Sequence, residues 1–79
     1  MHDPRSPEVL AWLDAMPVAK RLTVMQAMAF AFPRLTNDRD WNARLDALRA
    51  ELNPTVDEHE DILMEAGKIG GRMKRNLGR

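Results

Sequence analysis

The chain has 79 residues and a mass of 9.0 kDa, which allows one domain and leaves no room for a multidomain enzyme. Its 12 basic and 12 acidic residues cancel, so no overall charge attracts the chain to nucleic acid or to an anionic membrane. Cysteine is absent, which excludes disulfides, and the 44% hydrophobic content is typical of a folded soluble protein, for which we expect a cytoplasmic location.

The amino-terminal residues 1–5 are expected to form a flexible leader, because they are polar and contain a proline. The first seventeen residues have two prolines before residue 8 and a charge pattern that does not fit a signal peptide, namely Asp3, Arg5, Glu8 and Asp14. The first helix is predicted to begin at Ser6, whose hydroxyl can cap free backbone amides, with Pro7 at the first helical position. Pro17 is expected to end this helix.

The first helix carries one apolar stripe at helical spacing. Its members are Val9, Trp12, Leu13 and Met16. The stripe predicts that Trp12 lies in the core, and a similar stripe in the third helix predicts the same for Trp41. Either tryptophan, if exposed, is the preferred candidate for a binding anchor, because tryptophan is enriched at interface hot spots.

The second helix is predicted over residues 18–32, with Pro33 as its stop. It is apolar on nearly every side, which indicates either the central helix of the domain or part of an oligomer interface. The longest apolar run of the chain, residues 27–32, falls here and is too short to span a bilayer, so we expect no membrane association.

The third helix is predicted to begin at a cap formed by Thr36 or Asn37 and to end at the sequence Asn53-Pro54. A narrow apolar seam is expected to pack into another helix, and it consists of Trp41, Leu45, Leu48 and Leu52. Two exposed ion pairs at helical spacing are expected on the other faces, namely Asp40 with Arg44 and Asp46 with Arg49.

The fourth helix opens with the strongest start signal of the chain, a capping box formed by Thr55 and Glu58. Apolar residues then continue at helical spacing at Ile62, Ala66, Ile69, Met73 and Leu77. The helix is expected to fray, kink or end near Gly70, because three glycines interrupt the pattern. The pairs Ala66 with Gly70 and Gly67 with Gly71 indicate either a close helix crossing or a hinge.

Charge is unevenly distributed along this helix, because five acidic residues precede the basic ones. The order fits complementation of the helix dipole, and it also fits a basic carboxyl-terminal tail, residues 70–79, that contacts an acidic surface or phosphate. The residues assigned to partner binding are Lys68, Arg72, Met73, Lys74, Arg75 and Arg79. No aromatic residue in the tail can stack on a base, which disfavours single-stranded nucleic acid and RNA as partners.

The sequence offers no chemistry that points to catalysis. His59 has no second strong ligand at metal-binding helical spacing, and Ser6 is explained as a cap. We therefore expect no metal, no cofactor, no small-molecule substrate and no enzymatic activity.

The predicted fold is all-α, a small antiparallel bundle of about four helices joined by short proline-marked turns, with residues 6–69 as the bundle and 70–79 as a basic tail or frayed end. A homodimer is expected, because a chain of this size buries only about 60% of its unfolded surface. The predicted function is that of a small non-enzymatic regulatory or inhibitory protein that binds another protein through a helix face or the basic tail. The alternative is a nucleic-acid-associated factor in which a dimer pairs two basic tails on DNA.

Overall fold

Four α-helices and one short 3₁₀ helix make up residues 5–77, the part of the chain that the computed structural model describes. They are α1 (Pro7–Asp14), α2 (Val18–Ala31), the 3₁₀ helix (Pro33–Asn37), α3 (Arg39–Leu52) and α4 (Val56–Leu77). No strand occurs within these residues, so the predicted all-α helical bundle is confirmed. Residues 1–4 of the predicted leader, and residues 78–79 of the predicted tail, lie outside the described part.

The centre of the bundle is α2, against which α1, the 3₁₀ helix, α3 and α4 all pack. Its buried side chains lie on several sides of the helix and are Leu22, Val24, Met25, Ala27, Met28 and Ala29. A helix that is apolar nearly all round must be covered on most of its sides. Within this fold the other elements supply that cover, which confirms the central-helix interpretation.

Two of the predicted helix caps are present with the expected hydrogen bonds. The backbone amide of Val9 donates to Ser6 Oγ at 3.3 Å, and Pro7 occupies the first turn of α1. At the start of α4, the Glu58 amide donates to Thr55 Oγ1 at 3.2 Å, while the Thr55 amide donates to Glu58 Oε1 at 3.1 Å. This reciprocal pair satisfies two amides that the helix itself leaves free.

The cap of α3 is Asp38, so the expectation of Thr36 or Asn37 is wrong by one or two residues. Asp38 Oδ1 accepts a hydrogen bond from the Trp41 amide at 2.9 Å. Both expected caps lie in the 3₁₀ helix, where the Thr36 hydroxyl donates to the carbonyl of Pro33 at 2.6 Å. Arg5, assigned to the leader, donates to Asp38 Oδ2 at 2.7 Å and so ties the entry of α1 to the start of α3.

The two capping carboxylates give the protein a defined response to acid. Hydrogen bonds from the backbone of Trp41 and from Arg5 lower the pKa of Asp38, and hydrogen bonds from Thr55 lower the pKa of Glu58. A lowered pKa in the folded state stabilises the fold where the group is ionised. This stabilisation is fully present above the ordinary carboxyl pKa of about 4 and is lost as the pH falls through the lowered values.

We expect the Asp38→Asn/Glu58→Gln variant to lose less free energy of unfolding than the wild type between roughly pH 5 and pH 2. Both replacement amides can still accept the capping hydrogen bonds, so the change isolates ionisation from capping. Urea unfolding across this range measures the effect, with exposed Glu65→Gln as the matched control. Equal acid sensitivity of all three proteins contradicts the assignment.

The carboxyl end of α1 is held by Arg21 of α2, a role that its position among the apolar residues of α2 does not indicate. Arg21 Nε donates to the carbonyl of Leu13 at 3.0 Å, and Nη2 donates to the carbonyls of Asp14 at 3.0 Å and Met16 at 2.9 Å. These carbonyls lie at the end of a helix, where no following turn supplies donors. The guanidinium also places positive charge at the negative end of the α1 dipole.

Arg21→Ala is expected to lower the free energy of unfolding by about 2 kcal/mol, because three main-chain acceptors lose a charged donor. Arg21→Lys should recover only part of this loss, since a single ammonium cannot reproduce the planar fork of donors. Chemical denaturation followed by circular dichroism measures both values. Equal stability of the alanine variant and the wild type contradicts the role assigned to Arg21.

The predicted seam of α3 faces α2, with Trp41, Leu45 and Leu48 buried. Arg49 links the two helices, because its guanidinium donates to Gln26 Oε1 at 2.8 Å and to Asp46 Oδ1 at 3.2 Å. The ion pair predicted for Asp46 and Arg49 is therefore present. Among residues 5–77, the pair predicted for Asp40 and Arg44 is not formed, and both side chains instead line a surface cleft.

The helices α4 and α2 are in tight contact where they cross at Gly70. A Cβ atom on Gly70 would lie 2.8 Å from the carbonyl oxygen of Ala27 and 2.9 Å from Phe30 Cβ. Ala66, one turn earlier, is fully buried, so the Ala66–Gly70 pair forms a close crossing rather than a hinge. Cβ atoms on Gly67 and Gly71 would meet nothing within 4 Å.

The expectation that the fourth helix ends or frays near Gly70 is wrong, because α4 continues as a helix to Leu77. Low helix propensity is a local cost of about 1 kcal/mol for each glycine, and packing on α2 along the buried side offsets it. One of the three glycines, Gly70, has a structural use, since an added Cβ would not fit at the crossing. The carboxyl-terminal cations are thus placed on an ordered helix.

Candidate functional site

The predicted binding residues lie on the last turns of α4, where the helix projects four cations into solvent. Lys68, Arg72, Lys74 and Arg75 are all exposed, and we call these four residues the basic end. Lys68, Arg72 and Arg75 share one side of the helix, because they are spaced at i, i+4 and i+7. Arg79, the sixth predicted residue, lies outside the described part of the chain.

Met73, also assigned to partner binding, is half-buried and packs against the core. Its position around α4 explains this burial, since Met73 continues the covered line of Ile62, Ala66 and Ile69. Met64 is the methionine that faces solvent, with 65% of its surface exposed. The sequence contains the signal for this, because Met64 is two residues from Ile62 and therefore points to the opposite side of the helix.

The four cations of the basic end have no ion-pair partner within residues 5–77. The acidic residues of α4 precede them and are also exposed. Side chains of like charge are therefore neighbours one helical turn apart. Asp57 and Asp61 form such an i, i+4 pair in the acidic half of α4, and Lys68 and Arg72 form one in the basic half. Such pairs destabilise a helix by a few tenths of a kcal/mol each, an effect that an oppositely charged partner surface would reverse.

Trp12 is exposed over 53% of its surface, so the prediction that it lies in the core is wrong. The covered side of α1 is centred on Leu13, which is 1% exposed, and α1 packs only against α2. Trp12 lies about 100° around the helix from Leu13, at the edge of that contact. Because tryptophan is enriched at interface hot spots, the exposed Trp12 is a candidate binding anchor.

The surroundings of Trp12 are small and acidic. Glu8, four residues before Trp12, and Ala15, three residues after it, are exposed on the same side of α1, and no basic residue lies within this helix. An indole on such a surface can insert between apolar side chains of a partner. The basic end and the Trp12 surface are therefore two separate, chemically different patches.

One cleft beside Trp41 is lined by Arg5, Leu10, Asp38, Asp40, Trp41 and Arg44. Its Asp38 has a lowered pKa, which keeps the carboxylate ionised and is opposite to the raised pKa that a general acid needs near neutral pH. Trp41 Nε1 is buried, and none of the described residues accepts a hydrogen bond from it.

Metal ligands do not cluster in residues 5–77, where no group of three or more histidine, cysteine, aspartate or glutamate side chains could hold an ion. His59 is half-buried on α4, and its backbone amide donates to the carbonyl of Thr55 at 2.8 Å, as in any first helical turn. None of the helices in this range has the length and apolar character that crossing a membrane requires.

Comparison with known proteins gave no match: no family model, no characterised protein and no solved structure is similar to this chain. The functional conclusions below therefore depend on the surface of α4 alone.

Proposed function

We propose that this chain is a small, non-enzymatic regulatory or inhibitory protein of the cytoplasm, and that it binds an acidic surface of another protein through the basic end of α4. The observation that carries the proposal is the set of four exposed cations without ion-pair partners in the described residues, held on an ordered helix. Pre-ordering of the contact residues reduces the entropy lost on binding.

The spacing of the cations suits a short acidic patch. Lys68, Arg72 and Arg75 lie on one side of α4 and span about 10 Å along its axis at 1.5 Å per residue. Arginine can form bidentate contacts with carboxylates, and lysine contributes a flexible point charge. A protein surface with two or three carboxylates over that distance matches this pattern.

A protein partner is favoured over a nucleic-acid duplex by the acidic half of the same helix. Asp57 and Asp61 are exposed on the side of α4 that also carries Lys68 and Arg75. A phosphate backbone that followed the helix would pass from the cations to these carboxylates within about two turns, and there it would be repelled. A local acidic patch on a protein can end before that point.

The test compares Lys68→Glu/Arg72→Glu with the matched control Lys20→Glu/Arg39→Glu, which reverses two exposed cations on α2 and α3. Each tagged protein is used to isolate partners from native cell lysate at low and moderate salt, followed by mass spectrometry. We expect a stoichiometric protein that the wild type and the control retain. Its affinity for the Lys68→Glu/Arg72→Glu variant should be at least about tenfold weaker.

Equal retention by both double variants contradicts the assignment of the basic end. Nucleic acid that dissociates from the wild type between low and moderate salt supports the alternative function in its place, because phosphate contacts weaken steeply with salt. Circular dichroism of each variant establishes that a loss of binding is not a loss of fold.

A further inference from the structure

The outward side of α4 carries a second feature, which shares only Lys74 with the basic end. Six exposed residues follow one line along the helix, and we call this line the outer stripe: Val56, Glu60, Met64, Gly67, Gly71 and Lys74. Val56 is 76% exposed and Met64 is 65% exposed. Among the described elements only α2 packs on α4, and it does so on an adjoining side, at Ala66 and at Gly70, which lies about 60° around the helix from Gly67.

We infer that the outer stripe binds a second copy of this chain, with the two α4 helices antiparallel and related by a twofold axis at Gly67. The charges carry this inference. Glu60 precedes Gly67 by seven residues and Lys74 follows it by seven. A twofold axis at Gly67 therefore places Glu60 of each copy opposite Lys74 of the other, two ion pairs from one symmetry operation.

The shape of the stripe fits the same arrangement. Met64 lies three residues before the axis and Gly71 lies four residues after it, so the Met64 side chain of one copy faces Gly71 of the other. Open space surrounds Gly67 and Gly71, which lets the two backbones approach closely. A flexible methionine that enters a gap beside glycine is a common form of helix packing.

A parallel pair of α4 helices is disfavoured by the same charges. It would place Glu60 opposite Glu60 and Lys74 opposite Lys74, and like charges at an interface oppose association. The charge order thus selects the antiparallel pair over the parallel one.

The surface of the single chain is large enough to supply such an interface. It is 5615 Å². A standard interface covers roughly 800 Å² of each partner, about one seventh of this surface. Lys68 and Arg72 lie about 100° around the helix from Gly67 and Gly71, so dimerisation leaves these two cations of the basic end free for another protein.

Analytical ultracentrifugation at low salt tests the inference. The wild type is expected to sediment as a dimer of twice 9.0 kDa. Glu60→Lys and Lys74→Glu should each weaken dimerisation at least about tenfold, because each leaves like charges opposed across the axis. Glu65→Lys, which makes the same charge change on α4 away from the outer stripe, is the matched control and should leave dimerisation within about twofold.

The double variant Glu60→Lys/Lys74→Glu distinguishes the antiparallel pair from the parallel pair. It restores opposite charges in an antiparallel pair and should recover the wild-type dissociation constant, whereas in a parallel pair like charges would remain opposed. A monomeric wild type, unchanged dimerisation of the single variants, or no recovery in the double variant overturns the inference. These outcomes concern self-association only, and partner binding by Lys68 and Arg72 is measured separately with Lys68→Glu/Arg72→Glu.

Discussion

Trp41→Ala is expected to lower the free energy of unfolding by about 4 kcal/mol, the largest effect of any substitution considered for this chain. Trp41 is 2% exposed and among the largest fully buried side chains, and it lies in the cluster that α2 and α3 form with Leu13 of α1. Removal of the indole leaves a cavity that these short helices can close only in part. Urea unfolding measures the loss.

Trp12→Ala is the matched control, because the residue type and the change are the same. With 53% of its surface exposed, Trp12 should contribute no more than about 1 kcal/mol. Quenching of the single-tryptophan variants Trp12→Phe and Trp41→Phe gives an independent measure. Fluorescence of Trp12 should be quenched readily by iodide and that of Trp41 should not, and the reverse order contradicts the assigned burial of the two residues.

Trp41→Phe should be milder than Trp41→Ala for a second reason besides volume. The indole Nε1 of Trp41 is a buried donor without an acceptor among the described residues. Loss of an unsatisfied donor removes a desolvation penalty, which offsets part of the lost packing.

Gly70→Val should lower the free energy of unfolding by about 3 kcal/mol, although valine has a higher helix propensity than glycine. The added Cβ would lie 2.8 Å from the main-chain oxygen of Ala27, and backbone cannot move aside as a flexible side chain can. The two helices must therefore separate where they cross. Thermal unfolding is a suitable measurement, since each kcal/mol shifts the Tm of a chain this size by about 4–8 °C.

Gly71→Val, at the neighbouring position, is the control for this prediction. A Cβ on Gly71 meets nothing within 4 Å, so in the dilute monomer the substitution should be neutral or slightly stabilising. A variant of Gly70 as stable as the variant of Gly71 contradicts the close crossing of α2 and α4.

Those parts of the fold that depend on neighbouring residues could be predicted from the sequence. Ser6 and the Thr55–Glu58 box mark helix starts because each cap bonds to an amide three residues away. The central place of α2 was foreseeable for a related reason, since a helix that is apolar nearly all round has to be covered.

Features that depend on contacts between distant segments could not be predicted. Asp38 caps α3 because the 3₁₀ helix takes up the two residues before it, and its second oxygen binds Arg5, 33 residues away. The glycine at position 70 looks like a helix breaker until Ala27 is seen to lie against it. Trp12 belongs to a regular apolar stripe, but short α1 contacts α2 along too narrow a face to cover it.

The candidate site likewise has features that could be predicted from neighbouring residues and features that could not. The order of acidic and basic residues along α4 identified the cations of the basic end. All four of them, Lys68, Arg72, Lys74 and Arg75, are exposed to solvent, as partner binding requires. Helical periodicity alone separates Met73 on the covered side from Met64 on the exposed side, but the break expected at Gly70 obscured this. Continuation of α4 past that glycine is what brings both surfaces onto one rigid element.

An ordered α4 from Val56 to Leu77 is the premise of both the proposed function and the proposed dimer. Backbone carbon chemical shifts from solution NMR test it most directly. We expect helical shifts without interruption through Gly67, Gly70 and Gly71 as far as residue 77. Random-coil shifts from Gly70 onward would contradict it, because the basic end would then be a flexible tail and Lys74 would have no fixed place opposite Glu60.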